Sequence, residues 1–305
     1  MNADPARNAN HATGAGSCDI LILGHVSKDI IVYRGEQEHT TGGAVFFASV
    51  SASRSGASVL AVTKTSAEDR ELLDPLLQED LDVLILDSPD TTSIRNVYLS
   101  EDRERREVSL LSTASPFRLE ELPDATARII YFAGLLRGEL PDALIPPLSE
   151  KAEVALDAQG ILRRQRGEEL IFDDWEEKER FLPLITYLKT DAAEAEILSG
   201  EADRERAAGL LRRMGAREVM VTHHTEVLVA AEDRFFRAPF TPKNLSGRTG
   251  RGDTCFSAYL AWRLSHGIQE SVDYAAALTS IKMETPGPFQ GTSEVVLTRM
   301  GMKTD

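Results

Sequence analysis

This 305-residue sequence has few cysteines, no long apolar run and no net positive charge, and each of these absences excludes a class of protein. Two cysteines, Cys18 and Cys255, cannot form a disulfide framework or a metal-ligand cluster, which favours a reducing, cytoplasmic compartment. No apolar run approaches the length of a membrane span, so no membrane association is expected. The formal net charge of −15 argues against nucleic-acid partners but leaves room for a small anionic ligand at a local site.

The order of apolar segments predicts the fold class. Residues 1–17 are polar, lack the apolar core of a signal peptide and are predicted to be a disordered tail. In residues 18–305, apolar runs such as "CDILILGH", "ASVLAVT" and "DVLILD" alternate with helical patterns. This order predicts one α/β domain, a three-layer, mainly parallel sheet with helices on both faces.

Two β-rich segments interrupt that alternation. Residues 30–41 and 91–112 are predicted to form a small β flap or lid, with a highly charged turn at 101–107 that projects from the body. Two helices, predicted at about 253–266 and 270–284, close the core. Because an exposed flap suits an interface between copies, a homodimer is one expected state.

The segment "LSGRTGRGDTCFSAYL", residues 245–260, joins a polar, glycine-containing turn to a nearly apolar helix. Gly250 and Gly252 allow the turn to bend and allow a ligand to approach the backbone. The first N–H groups of a helix lack internal acceptors and lie at the positive end of its dipole. Together these features predict an anion site suited to phosphate oxygens.

Asp253 has two interpretations at this position. As an N-cap it would stabilise the helix by about 1 kcal/mol, and spacing alone favours that role. As a general base beside a phosphate site, it would take a proton from a hydroxyl that attacks phosphorus.

Two motifs resemble the ribokinase-like carbohydrate kinases, the PfkB family. "RTGRGDTCFSAYL" resembles the family's "TGAGD" signature, and "TGGAVFFASVSASRSGASVLAVT" resembles its N-terminal signature, with a Gly-Gly pair opening a helix of small residues. The motifs occur in the family's order and separation, and the resemblance extends over about residues 19–290.

The resemblance implies a kinase with ATP and Mg²⁺ as cofactors. Asp253 would be the catalytic base, and the backbone N–H groups of Gly250, Arg251 and Gly252 would form the anion hole. The family usually has Ala at the position of Arg251, a change that leaves the backbone role intact. The acceptor would be a small molecule: a sugar, an inositol-like polyol or a nucleoside.

The resemblance also assigns the acceptor site. Gly42 and Gly43 match the pair whose backbone lies against the acceptor, although a Gly-Gly pair is equally an ordinary turn before a helix. Asp29 matches the carboxylate that binds acceptor hydroxyls, and a carboxylate can accept two such hydrogen bonds. A solvated turn residue is the alternative for Asp29.

A third element, "LKTDAAEAEILSG", resembles the family's Asn-x-x-Glu. Glu194 would organise Mg²⁺, with Asp191 in place of the asparagine, since Mg²⁺ favours oxygen ligands and keeps several waters. The alternative is two acids in a solvated first helical turn. "LDAQGILR" resembles a strand-end turn beside the phosphates, which makes Asp157, Gln159 and Arg163 further candidates.

Three departures from the family pattern qualify these roles. Gly247 replaces the leading Asp of "DTTGAGD", which puts potassium activation in doubt. Phe47 replaces the usual Asn of "GGxxxN", which favours an acceptor with an apolar face, such as an inositol or a nucleoside. "VTHHTEVLV" lacks the glycines of the family's nucleotide loop, so adenine specificity is open.

The sequence therefore predicts an ATP-dependent phosphotransferase that acts on a hydroxyl of a sugar, polyol or nucleoside. The alternative is a ribokinase-like protein that binds a small molecule in a regulatory role without transferring phosphate.

Overall fold

A computed structural model describes residues 16–99, 106–167 and 169–302. The predicted tail, residues 1–17, lies outside the described residues except for its last two, and Ser17 already begins the first strand. Most of the charged turn predicted at 101–107 also lies outside them. No helix in the described ranges is long and apolar enough to cross a membrane.

Strands and helices alternate through most of the described chain. The strands are β1 (Ser17–Leu23), β2 (Ser27–Tyr33), β3 (Glu36–Gly42), β4 (Val59–Thr65), β5 (Asp82–Asp87), β6 (Thr92–Tyr98), β7 (Arg106–Ser112), β8 (Thr126–Phe132), β9 (Glu153–Asp157), β10 (Arg163–Arg166), β11 (Glu169–Phe172), β12 (Tyr187–Asp191), β13 (Glu218–Thr222), β14 (Glu226–Ala231) and β15 (Arg234–Pro239). The α-helices are α1 (Ala44–Arg54), α2 (Asp74–Leu77), α3 (Ile145–Ser149), α4 (Gln159–Leu162), α5 (Lys178–Phe181), α6 (Ala192–Ser199), α7 (Arg204–Arg213), α8 (Arg251–Arg263), α9 (Ile268–Lys282) and α10 (Ser293–Arg299).

The central sheet is built from nine strands of the described chain, in the order β15-β14-β13-β12-β9-β8-β1-β4-β5. The pairings from β5 across to β13 are parallel. β14 and β15 add an antiparallel hairpin at one edge. Its two-residue turn, Glu232 and Asp233, has positive φ at both positions, as a hairpin with right-handed twist requires.

Both faces of this sheet are buried. Along β1, Ile20 and Ile22 point into one apolar cluster and Leu21 and Leu23 into the other, because successive side chains of a strand point to opposite faces. Helices α1, α8 and α9 contribute to the first cluster, and α3, α6 and α7 to the second. The predicted three-layer α/β architecture is confirmed.

A second sheet forms the lid. Among the described residues it contains six strands in the order β10-β11-β7-β6-β2-β3. It includes the two predicted flap segments, but β2 begins at Ser27 and the β10–β11 hairpin was not predicted from the sequence. The sequence of β10, "RRQR", shows no apolar alternation, and the hairpin joins the lid through a pairing of Glu169 with Ser109.

The parallel strands of the central sheet bring their carboxyl ends to one edge, where open α/β sheets bind ligands. Asp157 ends β9 and Asp191 ends β12. β2 of the lid begins four residues after the end of β1. The edge that carries the acidic side chains therefore also carries the lid.

Candidate active site

The glycine turn before α8 differs from the capped helix start considered above. The N-cap is Gly250, with φ +75°, and it makes no side-chain capping bond. Asp253 lies inside the first turn of α8, so the N-cap interpretation of Asp253 is wrong. A positive φ strains any residue with a side chain. A Cβ at position 250 would also collide with the ring of Phe47, so glycine is required there on two counts.

Among the described residues, the N–H groups of Gly250 and Gly252 make no hydrogen bond to a backbone carbonyl, which leaves them available to an anion. The N–H of Arg251 already donates to the carbonyl of Arg248 over 3.3 Å, a long bond. The N–H of Thr254 donates to the carbonyl of Gly250 and begins the helical hydrogen bonding. The predicted anion hole at residues 250–252 therefore lies at the positive end of α8, where helices attract phosphate.

Asp253 is half-buried, and its environment raises its pKa from 3.8 to about 6. Burial is the main cause, since it disfavours the charged form, and the charge of Asp157 adds to it. Lys189 and Arg163 oppose the shift. A carboxylate with this pKa is ionised at pH 7 yet basic enough to accept a proton.

Lys189 lies at the centre of the acidic cluster. It is 6% exposed, and its Nζ donates to both oxygens of Asp157 over 3.0 Å and lies 3.9 Å from Oε2 of Glu194. Burial alone would lower the pKa of Lys189, but the nearby carboxylates outweigh it and raise that pKa. Lys189 also borders the turn, because a Cβ at Gly252 would lie 3.1 Å from its Nζ.

Asp191 and Glu194 form a reciprocal cap at the start of α6. The Asp191 side chain accepts from the N–H of Glu194 over 2.8 Å, and the Glu194 carboxylate accepts from the N–H of Asp191 over 2.7 Å. Glu194 is only 4% exposed, so the pair is not a solvated first turn. Burial raises the pKa of Glu194 to about 8 despite the opposing charge of Lys189.

These carboxylates fit a magnesium ion that keeps most of its waters. The described residues contain no group of three His, Cys, Asp or Glu side chains able to hold a metal directly. Mg²⁺ is typically bound by one or two carboxylates together with substrate phosphates and water. The fully buried hydroxyls of Tyr131 and Thr254 find no hydrogen-bond partner in the described part of the chain.

The predicted acceptor residues lie together on the lid side. Asp29 and Gly42 contact each other across the β2–β3 pair, where a Cβ at Gly42 would collide with the Asp29 carboxylate. Ser27 donates to Oδ1 of Asp29 over 2.7 Å. Gly43, at φ +104°, is the N-cap of α1, and a Cβ there would collide with the carbonyl of His25.

Phe47 joins the acceptor side to the glycine turn. It lies in the first turn of α1, is 5% exposed, and its ring packs against Gly250. The Nζ of Lys282 lies 5.3 Å from the ring centroid. The structure therefore places Phe47 beneath the turn, and its predicted contact with the acceptor stays a prediction.

His223 and His224 lie near cationic side chains that include Arg251. The charges of His224, Arg204 and Arg251 add to burial in lowering the pKa of His223. The rings of His223 and His224 lie 3.8 Å apart. The Arg204 side chain is paired with Glu226 over 2.9 Å.

Sequence reasoning missed Lys189, Lys282 and Tyr131. Lys189 stands two residues before Asp191 inside a strand, where a charged residue within a buried strand was the available signal. Lys282 and Tyr131 belong to no short motif. Asp157 and Arg163 were named only as further candidates, and the structure brings both close to Asp253.

Comparison with known proteins establishes the family. A family model described as pfkB family carbohydrate kinase matches residues 16–294, so the chain belongs to the PfkB family. The protein is accordingly a kinase with a ribokinase fold, as the sequence predicted. No curated protein matches the chain.

Two similar solved structures are kinases that use pyrophosphate. One, a pyrophosphate-dependent kinase of the ribokinase family complexed with a pyrophosphate analog and myo-inositol, is 37% identical with a TM-score of 0.83, over 89% of this chain and 97% of that one. Another is a pyrophosphate-dependent myo-inositol-1 kinase converted by two substitutions into a myo-inositol-3 kinase. It is 35% identical with a TM-score of 0.84, over 92% of this chain and 98% of that one.

A more distant structure shares the fold alone. Arabidopsis thaliana ribokinase complexed with ribose and ATP is 15% identical, with a TM-score of 0.72, over 94% of this chain and all of that one.

Proposed function

We propose that this kinase transfers a phosphoryl group to a hydroxyl of a cyclic polyol of the inositol type, with Asp253 as the general base. The observation that carries the proposal is the half-buried Asp253 carboxylate, held in the first turn of α8 beside the glycine turn with a pKa of about 6. A group of this kind is suited to proton abstraction at neutral pH.

The reaction follows from the placement of the groups. Asp253 takes the proton of the acceptor hydroxyl as its oxygen attacks the terminal phosphorus of the donor. The bond from that phosphorus to the bridging oxygen breaks, and the leaving group departs with its electron pair. The N–H groups of residues 250–252 face the charge that grows on the equatorial oxygens.

Lys189 supports this step from behind the turn. Its ammonium lies beside both Asp157 and the turn at Gly252, so it adds positive charge to the site and favours the ionised form of Asp253. Magnesium, held through water by Glu194 and Asp191 and by the donor phosphates, would screen the charge of the transferring group.

The acceptor would lie between the lid and the turn. Asp29 would accept hydrogen bonds from two ring hydroxyls, and the backbone of Gly42 and Gly43 would lie against the ring. Closure of the lid would exclude water, which otherwise competes as the acceptor. Relatives that are 35–37% identical and act on or bind myo-inositol support this choice over a nucleoside.

For the donor we favour inorganic pyrophosphate over ATP. The two kinases described above that use pyrophosphate share 35–37% identity with this chain, whereas the ATP-bound ribokinase shares 15%. Arg251 adds a positive charge beside the glycine turn, where its charge acts on both His223 and Lys282, and positive charge favours a highly charged donor. ATP, expected from the family resemblance, is the second candidate, because ribokinase-fold structures bind it.

A matrix of donors and acceptors tests the proposal. Purified protein with Mg²⁺ is incubated with pyrophosphate or ATP, each with myo-inositol, ribose, fructose or adenosine, and phosphorylated product is measured by mass spectrometry. We expect product from pyrophosphate and myo-inositol at a rate at least about tenfold above the other pairs. Product only with a nucleoside or only with ATP would contradict the acceptor or the donor assignment.

A further inference from the structure

Lys282 is a buried cation beneath the glycine turn. It ends α9 and is 1% exposed. Its Nζ donates to the carbonyl oxygen of Gly247 over 2.6 Å and also to that of Thr249. Within the described part of the chain, both of these hydrogen bonds go to backbone carbonyls of one turn, and the centroid of the Phe47 ring lies 5.3 Å from the Nζ.

Burying an ammonium group in this way is unfavourable unless the group is well solvated by the protein. Burial, with a contribution from Arg251, lowers the pKa of Lys282 to about 8, and the charge of Asp253 opposes that shift. Carbonyl oxygens and an aromatic face replace the water that the ammonium has lost. Because burying this charge is costly, we expect the ammonium to stabilise the turn that it contacts.

Gly247 makes the arrangement possible. Its N–H donates to the carbonyl of Met283 over 2.9 Å, so the segment after α9 lies directly against the turn. A Cβ at position 247 would collide with the carbonyl group of Thr285. The glycine that replaces the family's aspartate therefore removes a carboxylate and lets the end of α9 bring Lys282 under the turn.

The contact with Lys282 fixes the direction of two backbone N–H groups in the glycine turn. In a planar trans peptide, the C=O of one residue and the N–H of the next point in opposite directions. The ammonium holds the Thr249 carbonyl on its own side, so the N–H of Gly250 points away from Lys282. The same argument applies to the Gly247 carbonyl and the N–H of Arg248.

We propose that Lys282 is a positioning residue, a built-in cation that holds the glycine turn in its anion-binding form and makes the enzyme independent of a free monovalent cation. A ring of carbonyl oxygens is also the environment that K⁺ accepts in place of water. The Lys282 ammonium carries the same charge and occupies the space between the two carbonyls. The role in catalysis rests on the function proposed above.

Truncation of the side chain tests the proposal. Lys282→Ala opens space between the carbonyls, and we expect kcat to fall about 100-fold in tetramethylammonium chloride, with the acceptor KM changed less than threefold. Addition of K⁺, NH₄⁺ or methylammonium at about 100 mM should raise the rate of the Lys282→Ala variant at least about tenfold. The wild-type rate should be equal in all four salts.

Two further variants act as controls. Lys282→Met keeps the aliphatic stem and fills the space, so we expect a loss of rate that the cations do not recover. Lys151→Ala removes an exposed lysine and should behave as wild type in every salt. Wild-type activity that depends on K⁺, or a Lys282→Ala variant that keeps more than a third of the rate, would overturn the proposal.

Thermal unfolding separates this inference from the proposed function, because it needs no donor or acceptor. Lys282→Ala should have a lower Tm than wild type in tetramethylammonium chloride and should regain part of that Tm in KCl. The Tm of wild type and the Tm of Lys282→Met should each be the same in the two salts. If wild type transfers no phosphoryl group but this pattern is found, the proposed function fails and the built-in cation stands. A Tm of Lys282→Ala that does not respond to K⁺ contradicts the built-in cation.

Discussion

The start of α8 positions Asp253, and the neighbouring charges set its pKa. The glycine turn puts it in the first turn of α8, and the buried Lys189–Asp157 pair lies close enough to act on its ionisation. The pair affects the pKa of Asp253 in both directions, since the Asp157 charge raises it and the Lys189 charge lowers it. The basicity of Asp253 can therefore be changed without touching the residue itself.

The pH dependence of catalysis should report this tuning. Because the base must be ionised, kcat/KM should rise with pH through about 6 and level off above it. Asp157→Asn removes a charge that raises the pKa of Asp253, so this limb should move to lower pH. The measurement is a pH–rate profile of both proteins at saturating donor. A limb that stays in place in the variant would show that Asp157 does not act on the base.

The same ionisation should affect stability. The folded-state pKa of Asp253 lies above the ordinary value of 3.8, so its charge destabilises the fold as pH rises from about 4 to above 6. Asp253→Asn should therefore raise Tm at pH 7.5 by about 6 °C, since a pKa raised by about two units corresponds to about 3 kcal/mol. Most of the gain should be lost near pH 4, where the carboxyl is protonated in the folded state and about half-protonated in the unfolded chain. Calorimetry at the two pH values measures this, and an equal Tm difference at both would contradict it.

The sequence could predict the site residues that share one short motif, but not those whose partners are distant along the chain. Asp253 and its glycines occupy one short segment, so spacing and resemblance located them. Lys189 and Lys282 act through partners that are distant along the chain, for example Lys282 with Gly247. Such contacts exist only after folding, and a lysine in a strand or helix does not indicate by itself which distant residues it will contact.

At the scale of elements, the start of α8 is the most constrained feature of the site. The left-handed Gly250, the Phe47 ring and the Lys282 ammonium meet at one turn. The long strands and helices of the body were predicted because their apolar periodicity is strong. The β10–β11 hairpin was not, because β10 is charged and shows no apolar alternation, and β11 has only four residues.

A pair of glycine substitutions tests the constraint at this turn. Gly250→Ala adds a Cβ at positive φ that also collides with Phe47, so we expect a loss of at least about 3 kcal/mol in the free energy of unfolding. Gly287→Ala is the matched control, since Gly287 has φ +83° and open space around its Cβ position. It should lose only about 1 kcal/mol. Denaturant unfolding measures both, and equal losses would show that the Phe47 contact is unimportant.

At the scale of the molecule, a chain with a formal net charge of −15 places the cations Lys189 and Lys282 against one glycine turn. The lid lies over the carboxyl edge of the central sheet and is tied to the body by contacts such as Lys28 with Asp69, at 2.7 Å. It is therefore the part of the structure expected to respond when both substrates bind.

Hydrogen exchange should detect that response. With a non-hydrolysable pyrophosphate analog and myo-inositol, amide exchange in β2, β3 and β6 should slow by at least about threefold. Exchange in β15, at the far edge of the central sheet, is the internal control and should not change. Protection confined to α8, without any in the lid, would argue against closure over the acceptor.

The most direct test of the central claim is phosphoryl transfer by wild type and Asp253→Asn, followed by ³¹P NMR with pyrophosphate, Mg²⁺ and myo-inositol. Asp124→Asn, an exposed carboxyl far along the chain from the site motifs, is the control. The account predicts a phosphomonoester signal with wild type and the control, and a rate at least about 1000-fold lower with Asp253→Asn. A variant that forms the ester at near wild-type rate would show that Asp253 is not the base.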